Sequence, residues 1–314
     1  MITVSVPGKI HLMGEHAVVY GKPALLSAIN KRMCVSIEKA KKMNIVTTES
    51  SACITYALEK VKKYLKLEAL PPMHISIDSD IPAGFHLGSS AATAVGVVAA
   101  SLYFLKKQWD LTQINAIAYE VEKKQHGNPS GGDNTTVTFG GLLWFRKELE
   151  FLKSMQQLDI TIPSSLNHFF LINTGRPKET TGEMVTYVRS KVAAHPSQYK
   201  KIFDENEEQT KRIVTAIKEG NEKNFIDGIK RGEKTLEQVG VVSTRVIPVI
   251  RAIEQTGGAA KILGGGGRTD GVGFLLCYHK NIKTAENLNA RHNYGIQKIQ
   301  LGEEGIRLEK RSNV

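Results

Sequence analysis

Cysteine is scarce in this chain, with three residues among 314, at positions 34, 53 and 277. The number is odd, the three are widely separated, and none belongs to a CxxC pair. This pattern argues against a disulfide framework and against a zinc ribbon or finger. A chain of this length buries a core large enough to fold without such cross-links. The simplest setting is a reducing one, and we expect a cytoplasmic protein.

Aromatic residues are also few, at 7%, and no block of five or six consecutive basic residues occurs. A stacking surface for single-stranded nucleic acid therefore has little support. The overall charge is nevertheless basic, because 42 lysines and arginines against 31 acidic residues give a net charge of +11. That charge favours anionic partners, whether nucleic acid, a membrane surface or phosphorylated small molecules. We expect no nucleic acid as a primary partner.

The N-terminal residues lack the basic start, apolar stretch and cleavage site of a signal peptide. Residues 81–105 contain no Asp, Glu, Lys or Arg and are long enough to span a bilayer. Proline, glycine, histidine and serine crowd their first half, however, which leaves only ~15 residues of apolar helix. That length suits a buried helix in a soluble protein, so we predict a core helix over residues 90–105 and no membrane partner.

Short strands and helices alternate along the chain, which indicates the α/β or α+β class. Strands are predicted at residues 2–6, ended by Pro7 and Gly8, and at residues 17–20. A change of composition predicts a domain boundary near residues 150–165.

A second helix is predicted from about residue 111 to residue 124, with Thr112 as a candidate N-cap. A polar loop over residues 126–134 follows it, and then a strand pair around residues 135–144.

The segment PAGFHLGSSAA, residues 82–92, is the first that could carry chemistry. Its glycines precede two serines and a run of helix formers, which places unpaired backbone N–H groups at a helix start, where phosphate binds. Ser89 and Ser90 either serve a phosphate or Mg²⁺, or act as ordinary N-cap residues. No G-x-x-x-x-G-K-[ST] motif and no HRD or DFG set occurs, which excludes a Walker-type P-loop and a protein kinase.

Two further clusters contain charged candidates. Glu122 lies at the end of a predicted helix, where an acid is mildly unfavourable, and is either a metal ligand or a solvated side chain. Asp133, in a glycine-rich loop, is either a general base beside a hydroxyl nucleophile or an Asx-turn residue. Lys9 follows a strand end and either directs a cation into a site or is an ordinary edge lysine. His16 is equally open between a site residue and a surface or core histidine.

Together these clusters resemble the GHMP kinase superfamily, and within it the mevalonate kinase family. PGKIHLMGEHAVVYG (7–21) is similar to the first motif, PAGFHLGSSAA (82–92) to the phosphate-binding loop, and KILGGGG (261–267) to the third motif. HGNPSGGDNTTVTFGG (126–141) resembles the mevalonate kinase version of the catalytic loop along its whole length. The resemblance covers most of the chain, with the motifs in order.

This resemblance implies an α+β, two-domain GHMP kinase fold. Residues 1–160 would form a ribosomal-protein-S5-like, nucleotide-binding N-terminal domain, and residues 161–314 a ferredoxin-like α/β C-terminal domain. It also implies ATP with Mg²⁺, and phosphorylation of the 5-hydroxyl of (R)-mevalonate in the mevalonate route to isoprenoids. The oligomeric state stays open, with a homodimer as one candidate.

The resemblance also implies roles for individual residues. Lys9 and Asp133 match the pair that activates the substrate hydroxyl, and Ser90 and Glu122 match the Mg²⁺ ligands. The substrate side would consist of Lys9, Asp133, Glu15, His16 and, by a looser match, Thr180. His16 and the basic charge would attract the substrate carboxylate.

Two loops complete the implied site. The ATP phosphates would lie against Pro82, Ala83, Gly84, Phe85, His86, Leu87, Gly88, Ser89, Ser90 and Ala91. A supporting glycine loop would consist of Gly264, Gly265, Gly266 and Gly267.

The chain departs from the family pattern at several positions. Phe85 and His86 replace the x-G pair of the usual G-x-G-L-G-S-S loop, which puts a side chain where the backbone would approach phosphate. Lys178 stands where the family has an arginine. Arg268, directly after the four glycines, either adds a phosphate contact or projects into solvent. The alternatives are a superfamily kinase acting on phosphomevalonate, homoserine or a sugar, and a catalytically silent ligand sensor on the same fold.

Overall fold

The structure, a computed structural model, describes residues 1–126, 129–149, 152–289 and 294–309. Strands and helices are mixed along the chain, in agreement with the predicted α+β class. Up to residue 147 the elements are β1 (Ile2–Met13), β2 (Pro23–Lys39), β3 (Asn44–Val46), α1 (Ser51–Tyr64), β4 (Met73–Ser79), α2 (Ser89–Lys106), α3 (Leu111–His126), α4 (Gly132–Phe139) and β5 (Leu142–Lys147). Beyond it they are β6 (Lys153–Leu158), β7 (Phe169–Asn173), α5 (Thr181–Ala194), α6 (Pro196–Glu219), α7 (Glu222–Val239), α8 (Ile247–Gln255), β8 (Ala259–Ile262), β9 (Phe274–Tyr278), α9 (Ile282–Asn289), β10 (Gly295–Ile299) and β11 (Arg307–Leu308).

The chain packs into two compact units, and unit 1 consists of Met1–Lys9, Ala28–Gly141 and the segment that begins at Glu303. Its strands follow the order β11-β1-β2-β4-β3. Strands β2 and β4 pair antiparallel, with Val35 opposite Ile77, and apolar residues alternate toward the core on both. Helices α1 to α4 belong to the same unit.

Helix α2 confirms the core helix predicted over residues 90–105. By length and composition it is the kind of helix that crosses a membrane, but 72% of it is buried inside the protein. Most of its residues from Ala91 to Leu102 are buried, on all sides of the helix. A helix that is apolar all round belongs in a core, and here it places its N-terminus where the phosphate loop ends.

Unit 2 consists of Ile10–Ser27 and Leu142–Gly302. The first part of β2 pairs antiparallel with β5, which pairs antiparallel with β6. A second sheet has the order β10-β7-β9-β8, all antiparallel. Helices α5 to α9 complete the unit. Its core joins sheet and helix side chains, among them Phe170, Leu236, Ile250 and Leu275.

These units differ from the predicted domains of residues 1–160 and 161–314. Residues 142–160 belong to unit 2, and the segment that begins at Glu303 belongs to unit 1. The N-terminal strands account for the rest of the difference, because each contributes residues to both units. Strand β1 belongs to unit 1 as far as Lys9 and to unit 2 from Ile10, and β2 changes unit between Ser27 and Ala28. No composition signal marks a boundary inside a continuous strand.

The first predicted strands needed correction. Strand β1 does not end at Pro7 and Gly8 but continues to Met13, because the residues around them are buried and packing overrides the local turn preference. Residues 17–20 form a 3-10 helix, not a strand. Positive φ angles of 106° at Gly14 and 58° at His16 turn the chain just before it.

The predicted strand pair around residues 135–144 was also wrong in its first half, which forms α4. The threonines there favour a strand by intrinsic preference. Two of their hydroxyls instead donate to the carbonyl four residues back, Thr136 to Gly132 at 2.8 Å and Thr138 to Asn134 at 2.7 Å. These bonds satisfy the side chains within a buried helix, and Asp133 therefore lies in a helical first turn.

The N-cap predicted for α3 was displaced by two residues. The carboxylate of Asp110, not the hydroxyl of Thr112, accepts the first backbone N–H groups of the helix, from Thr112 at 2.8 Å and Gln113 at 3.1 Å.

Candidate active site

A lysine–carboxylate pair lies in unit 1. Lys9 Nζ is 2.9 Å from Asp133 Oδ2, with 5% of the lysine side chain exposed and 37% of the aspartate side chain. Lys9 is therefore a buried cation, not an edge lysine. Asp133 occupies the first turn of α4, where the helix dipole favours a negative charge. The pair thus combines a fixed ammonium with a carboxylate that a bound molecule can reach.

The loop that precedes α2 packs directly on Lys9. The Lys9 N–H donates to the Leu87 carbonyl at 2.9 Å. A Cβ atom at Gly88 would lie 2.8 Å from Lys9 Cγ, so only glycine fits there, and its φ of 83° is one that glycine adopts readily. The sequence-predicted phosphate loop and the predicted catalytic lysine therefore meet in one place.

The start of α2 presents backbone donors rather than a side-chain cap. Gly88 is the N-cap and supplies no side-chain acceptor, and the hydroxyls of Ser89 and Ser90 point to carboxylates instead. The N-cap role considered for these serines is therefore wrong. Uncapped N–H groups at a helix start form an anion-binding site.

The Phe85–His86 departure is accommodated by the backbone. His86 has a φ of 62°, in the left-handed region where the usual glycine would be at ease. His86 thus adopts, with some strain, a conformation that glycine adopts without cost.

Oxygen ligands surround the first turn of α2. Ser90 Oγ donates to Glu122 Oε1 at 2.7 Å, and Ser89 Oγ donates to Glu49 Oε2 at 2.7 Å. Glu122 is buried. Two carboxylates beside a phosphate-binding helix start would repel phosphate unless a cation lay between them. Sequence analysis missed Glu49, because its contact depends on the fold and no motif contains it.

This donor set fits Mg²⁺, which prefers hydroxyl, carboxylate and phosphate oxygens. Within the described ranges no three His, Cys, Asp or Glu side chains form a metal-holding group. Burial, assisted by the charges of Glu122 and Glu49, raises the pKa of the neighbouring Cys53 thiol to about 12, so that sulfur stays protonated.

The other predicted residues lie in unit 2, where Glu15 and His16 are both buried. The Glu15 carboxylate pairs with Lys261, which sequence analysis quoted within a motif but did not single out. His16 Nε2 is 3.0 Å from the Gly265 carbonyl, in the predicted glycine loop. That carbonyl can only accept, so Nε2 carries the proton.

Burial of the His16 ring lowers its pKa, although the hydrogen bond to Gly265 acts in the other direction. Burial thus favours the uncharged ring, and the attraction of a substrate carboxylate expected of His16 stays a prediction.

The glycine loop, residues 264–267, packs against the start of α5. A Cβ atom at Gly265 would lie 3.4 Å from Thr181 Cα, and Gly267 N donates to the Val241 carbonyl at 3.0 Å. Thr180 is the exposed N-cap of α5 and forms a capping box with Glu183. Thr180 thus has a structural role, and a substrate contact stays a prediction.

Arg268 and Lys178 make contacts with the protein. The Arg268 guanidinium lies over the Tyr187 ring, 3.9 Å from the ring centroid, and Arg268 is exposed. Lys178 Nζ is 3.3 Å from Asp270. Gly127 and Asn128 of the predicted catalytic loop lie outside the described residues.

Part of the sequence and the fold of the chain match known proteins. Residues 52–141 match the family model of the GHMP kinases N-terminal domain. A mevalonate kinase from Methanococcus jannaschii has the same fold, with a TM-score of 0.81 at 22% identity over 96% of this chain and 98% of that one. The crystal structure of L. major mevalonate kinase in complex with R-mevalonate gives a TM-score of 0.80 at 17% identity, over 96% of this chain and 95% of that one. The fold is therefore that of the GHMP kinase class.

Sequence similarity narrows the class. The chain is 34% identical to the mevalonate kinase of Archaeoglobus fulgidus over 268 residues, which covers 84% of this chain and 88% of that protein. It belongs to the mevalonate kinase family.

Proposed function

We propose that this chain transfers the γ-phosphoryl group of ATP to the 5-hydroxyl of (R)-mevalonate and so makes 5-phosphomevalonate. The observation that carries the proposal is the Lys9–Asp133 pair, with its half-exposed carboxylate, beside the uncapped start of α2. Family membership supports the choice of acceptor among the GHMP kinases.

In this mechanism Asp133 accepts the proton of the attacking hydroxyl. Lys9, held at 2.9 Å from Asp133, stabilises the negative charge that develops on the oxygen. Phosphoryl transfer needs in-line positioning and charge stabilisation more than covalent chemistry by the protein. The buried cation suits this role because the strand and the phosphate loop fix its stem.

The phosphates would bind at the loop over residues 82–91. The first N–H groups of α2 face them, and the helix dipole adds to the attraction. Ser90 and Glu122 would hold Mg²⁺. Glu49 accepts a hydrogen bond from the hydroxyl of Ser89, the residue before Ser90. When bound, Mg²⁺ neutralises charge on the β- and γ-phosphates.

On the acceptor side we retain Glu15, His16 and Thr180 as residues that shape the mevalonate site. The glycine loop supports it by holding the His16 ring. The net charge of +11 favours two anionic substrates. We place the reaction in the cytoplasm, a setting that suits three free cysteines. The assembly, monomer or homodimer, can be read by light scattering.

A coupled ADP-release assay tests the proposal. Purified protein is given ATP, Mg²⁺ and one acceptor at a time: mevalonate, phosphomevalonate, homoserine or galactose. Phosphorus and proton NMR locate the new phosphate, and Asp133→Asn serves as the control. Turnover on mevalonate that disappears in the control is the expected result. Turnover on another acceptor would reassign the substrate, and ATP binding with no turnover on any of them would favour a sensor.

Magnesium dependence tests the metal assignment separately. Ser90→Ala and Glu122→Gln should shift the Mg²⁺ titration of ATP turnover to higher concentration and weaken binding of Mn²⁺–ATP measured by electron paramagnetic resonance. An unchanged Mg²⁺ titration in both variants would contradict the ligand assignment.

A further inference from the structure

Lys261 is a fully buried cation that the mechanism above does not use. It lies on β8, three residues before the glycine loop, with none of its side chain exposed. Its Nζ donates to the Glu15 carboxylate, to the Ile262 carbonyl at 2.6 Å and to the His11 carbonyl at 3.2 Å. Burying an ammonium group costs free energy, even where acceptors offset part of the cost. The burial of Lys261 among three acceptors therefore requires an explanation.

A second buried carboxyl group clarifies the charge balance. Glu233, on α7, is fully buried, and its Oε2 accepts the Ile262 N–H at 3.0 Å. Burial raises the pKa of Glu233 well above its usual range, against a smaller opposing effect of Lys261, so burial favours the neutral form of this carboxyl group. Glu15, which contacts Lys261 Nζ directly, is the carboxylate that balances the charge of Lys261.

Glu15 lies between a position that only glycine fits and a residue with a strained backbone. Gly14 has a φ of 106°, and a Cβ atom there would lie 2.4 Å from Ala24 Cα. His16 has φ 58° and ψ −44°, which a non-glycine residue rarely adopts. Such conformations persist only where the surroundings determine them strongly, and they concentrate at functional sites.

Two contacts hold this strained segment to β8 and the loop after it. Lys261 binds the Glu15 side chain, and the Gly265 carbonyl accepts from the His16 ring. Buried ion pairs often add little stability compared with apolar residues of the same size. The buried Lys261 therefore acts on geometry rather than on stability, since it fixes the positions of Glu15 and His16.

We propose that Lys261 is a positioning residue for the acceptor site, which it shapes by holding Glu15 and, through it, the strained backbone of His16 in place. The inference rests on the proposed function for its substrate, mevalonate. In this proposal the Glu15 carboxylate pairs with Lys261 and not with the substrate. The substrate is then affected by the conformation of the segment rather than by the charge of Glu15.

The test compares the wild-type enzyme with Glu15→Gln/Lys261→Met, which removes both charges and leaves no buried ion alone. We expect kcat/KM for mevalonate to fall about 10²-fold, as for a small misplacement of a binding group, while KM for ATP changes less than about twofold. Glu233→Gln is the matched control, because its amide oxygen still accepts from Ile262 and the Lys261–Glu15 pair remains. It should keep the wild-type kcat/KM. A double variant with wild-type kcat/KM would overturn the proposal.

Nuclear magnetic resonance of the His16 ring provides a readout independent of turnover. In the wild-type protein the Nε2–H that donates to the Gly265 carbonyl should give a signal protected from exchange with solvent. In the double variant that protection should be lost. A wild-type Nε2–H that exchanges as fast as that of a free histidine would overturn the proposal even if the double variant does not fold. Absence of turnover on mevalonate by the wild-type enzyme would refute the proposed function instead, and leaves the ring measurement intact.

Discussion

The Lys9–Asp133 pair of unit 1 and the Lys261–Glu15 pair of unit 2 differ in their access to solvent. This difference decides whether a pair can react with a substrate or can only hold the chain around it. In unit 1 Lys9 is 5% exposed and its partner Asp133 is 37% exposed. In unit 2 Lys261 and Glu15 are 0% and 1% exposed. The charged groups are of the same kind, but only Asp133 can meet a substrate hydroxyl. The buried pair can act only on the chain around it.

The carboxylates of the two pairs also differ in what stabilises their charge. Asp133 is in part solvated and lies at a helix start, so its charge is stabilised without Lys9 as well. Glu15 depends on Lys261, because water does not reach it. Removing one member of a pair should therefore have different main effects in the two units. Activity should be lost in unit 1, and folding stability should be lost in unit 2.

The largest effect is expected from Asp133→Asn. Loss of a general base should lower kcat by ~10²–10⁴-fold, because the amide cannot accept the proton. The melting temperature should change little, since the side chain is partly exposed. Steady-state kinetics and thermal denaturation of the same preparation measure both. Near-normal turnover would leave Asp133 as a positioning group and bring the two pairs closer in role.

A second experiment compares the two lysines by folding stability. Lys261→Met strands a buried carboxylate and should cost about 3–5 kcal/mol of unfolding free energy. Lys9→Met leaves a carboxylate that water can reach and should cost about 1 kcal/mol or less. Urea denaturation followed by circular dichroism gives both values. Equal losses in the two variants would remove the distinction drawn here.

Glu233 should make the stability of unit 2 depend on pH. Its folded-state pKa is raised by burial above the ordinary value of 4.5, so its stabilising contribution is complete below that value and is lost as the pH rises toward the folded pKa. Over that window Glu233→Gln should gain stability relative to wild type by about 1.4 kcal/mol per pH unit. Denaturation curves between pH 4 and 8 test this. A constant difference would mean that Glu233 ionises normally.

The smallest effect concerns Thr180. Thr180→Ala removes the side-chain acceptor of the α5 capping box and should cost about 1 kcal/mol. Thr180→Ser, which retains the hydroxyl, is the control and should recover most of it. Chemical denaturation reads the cap, and KM for mevalonate reads the substrate contact that the resemblance implies. A full loss in the serine variant would assign the effect to the methyl group instead.

Sequence reasoning worked best where a local pattern carries its own physical meaning. The apolar run of α2, the glycines before it and the position of Glu122 at the end of α3 could all be predicted from adjacent residues. It failed where distant packing decides the outcome. The threonines of α4 favour a strand until their hydroxyls bond within a buried helix, and β1 passes through Pro7 and Gly8 because burial outweighs the turn signal.

The sequence by itself therefore determined the family, and it predicted the phosphate loop and the candidate residues Lys9 and Asp133, because these depend on motifs of adjacent residues. Only the tertiary structure decided which carboxylate is accessible. It brought Glu49 to Ser89 and Lys261 to Glu15, across 40 and 246 positions of the chain. Burial and long-range contact set the charge state and accessibility of an ionisable group, and neither is a property of neighbouring residues along the chain.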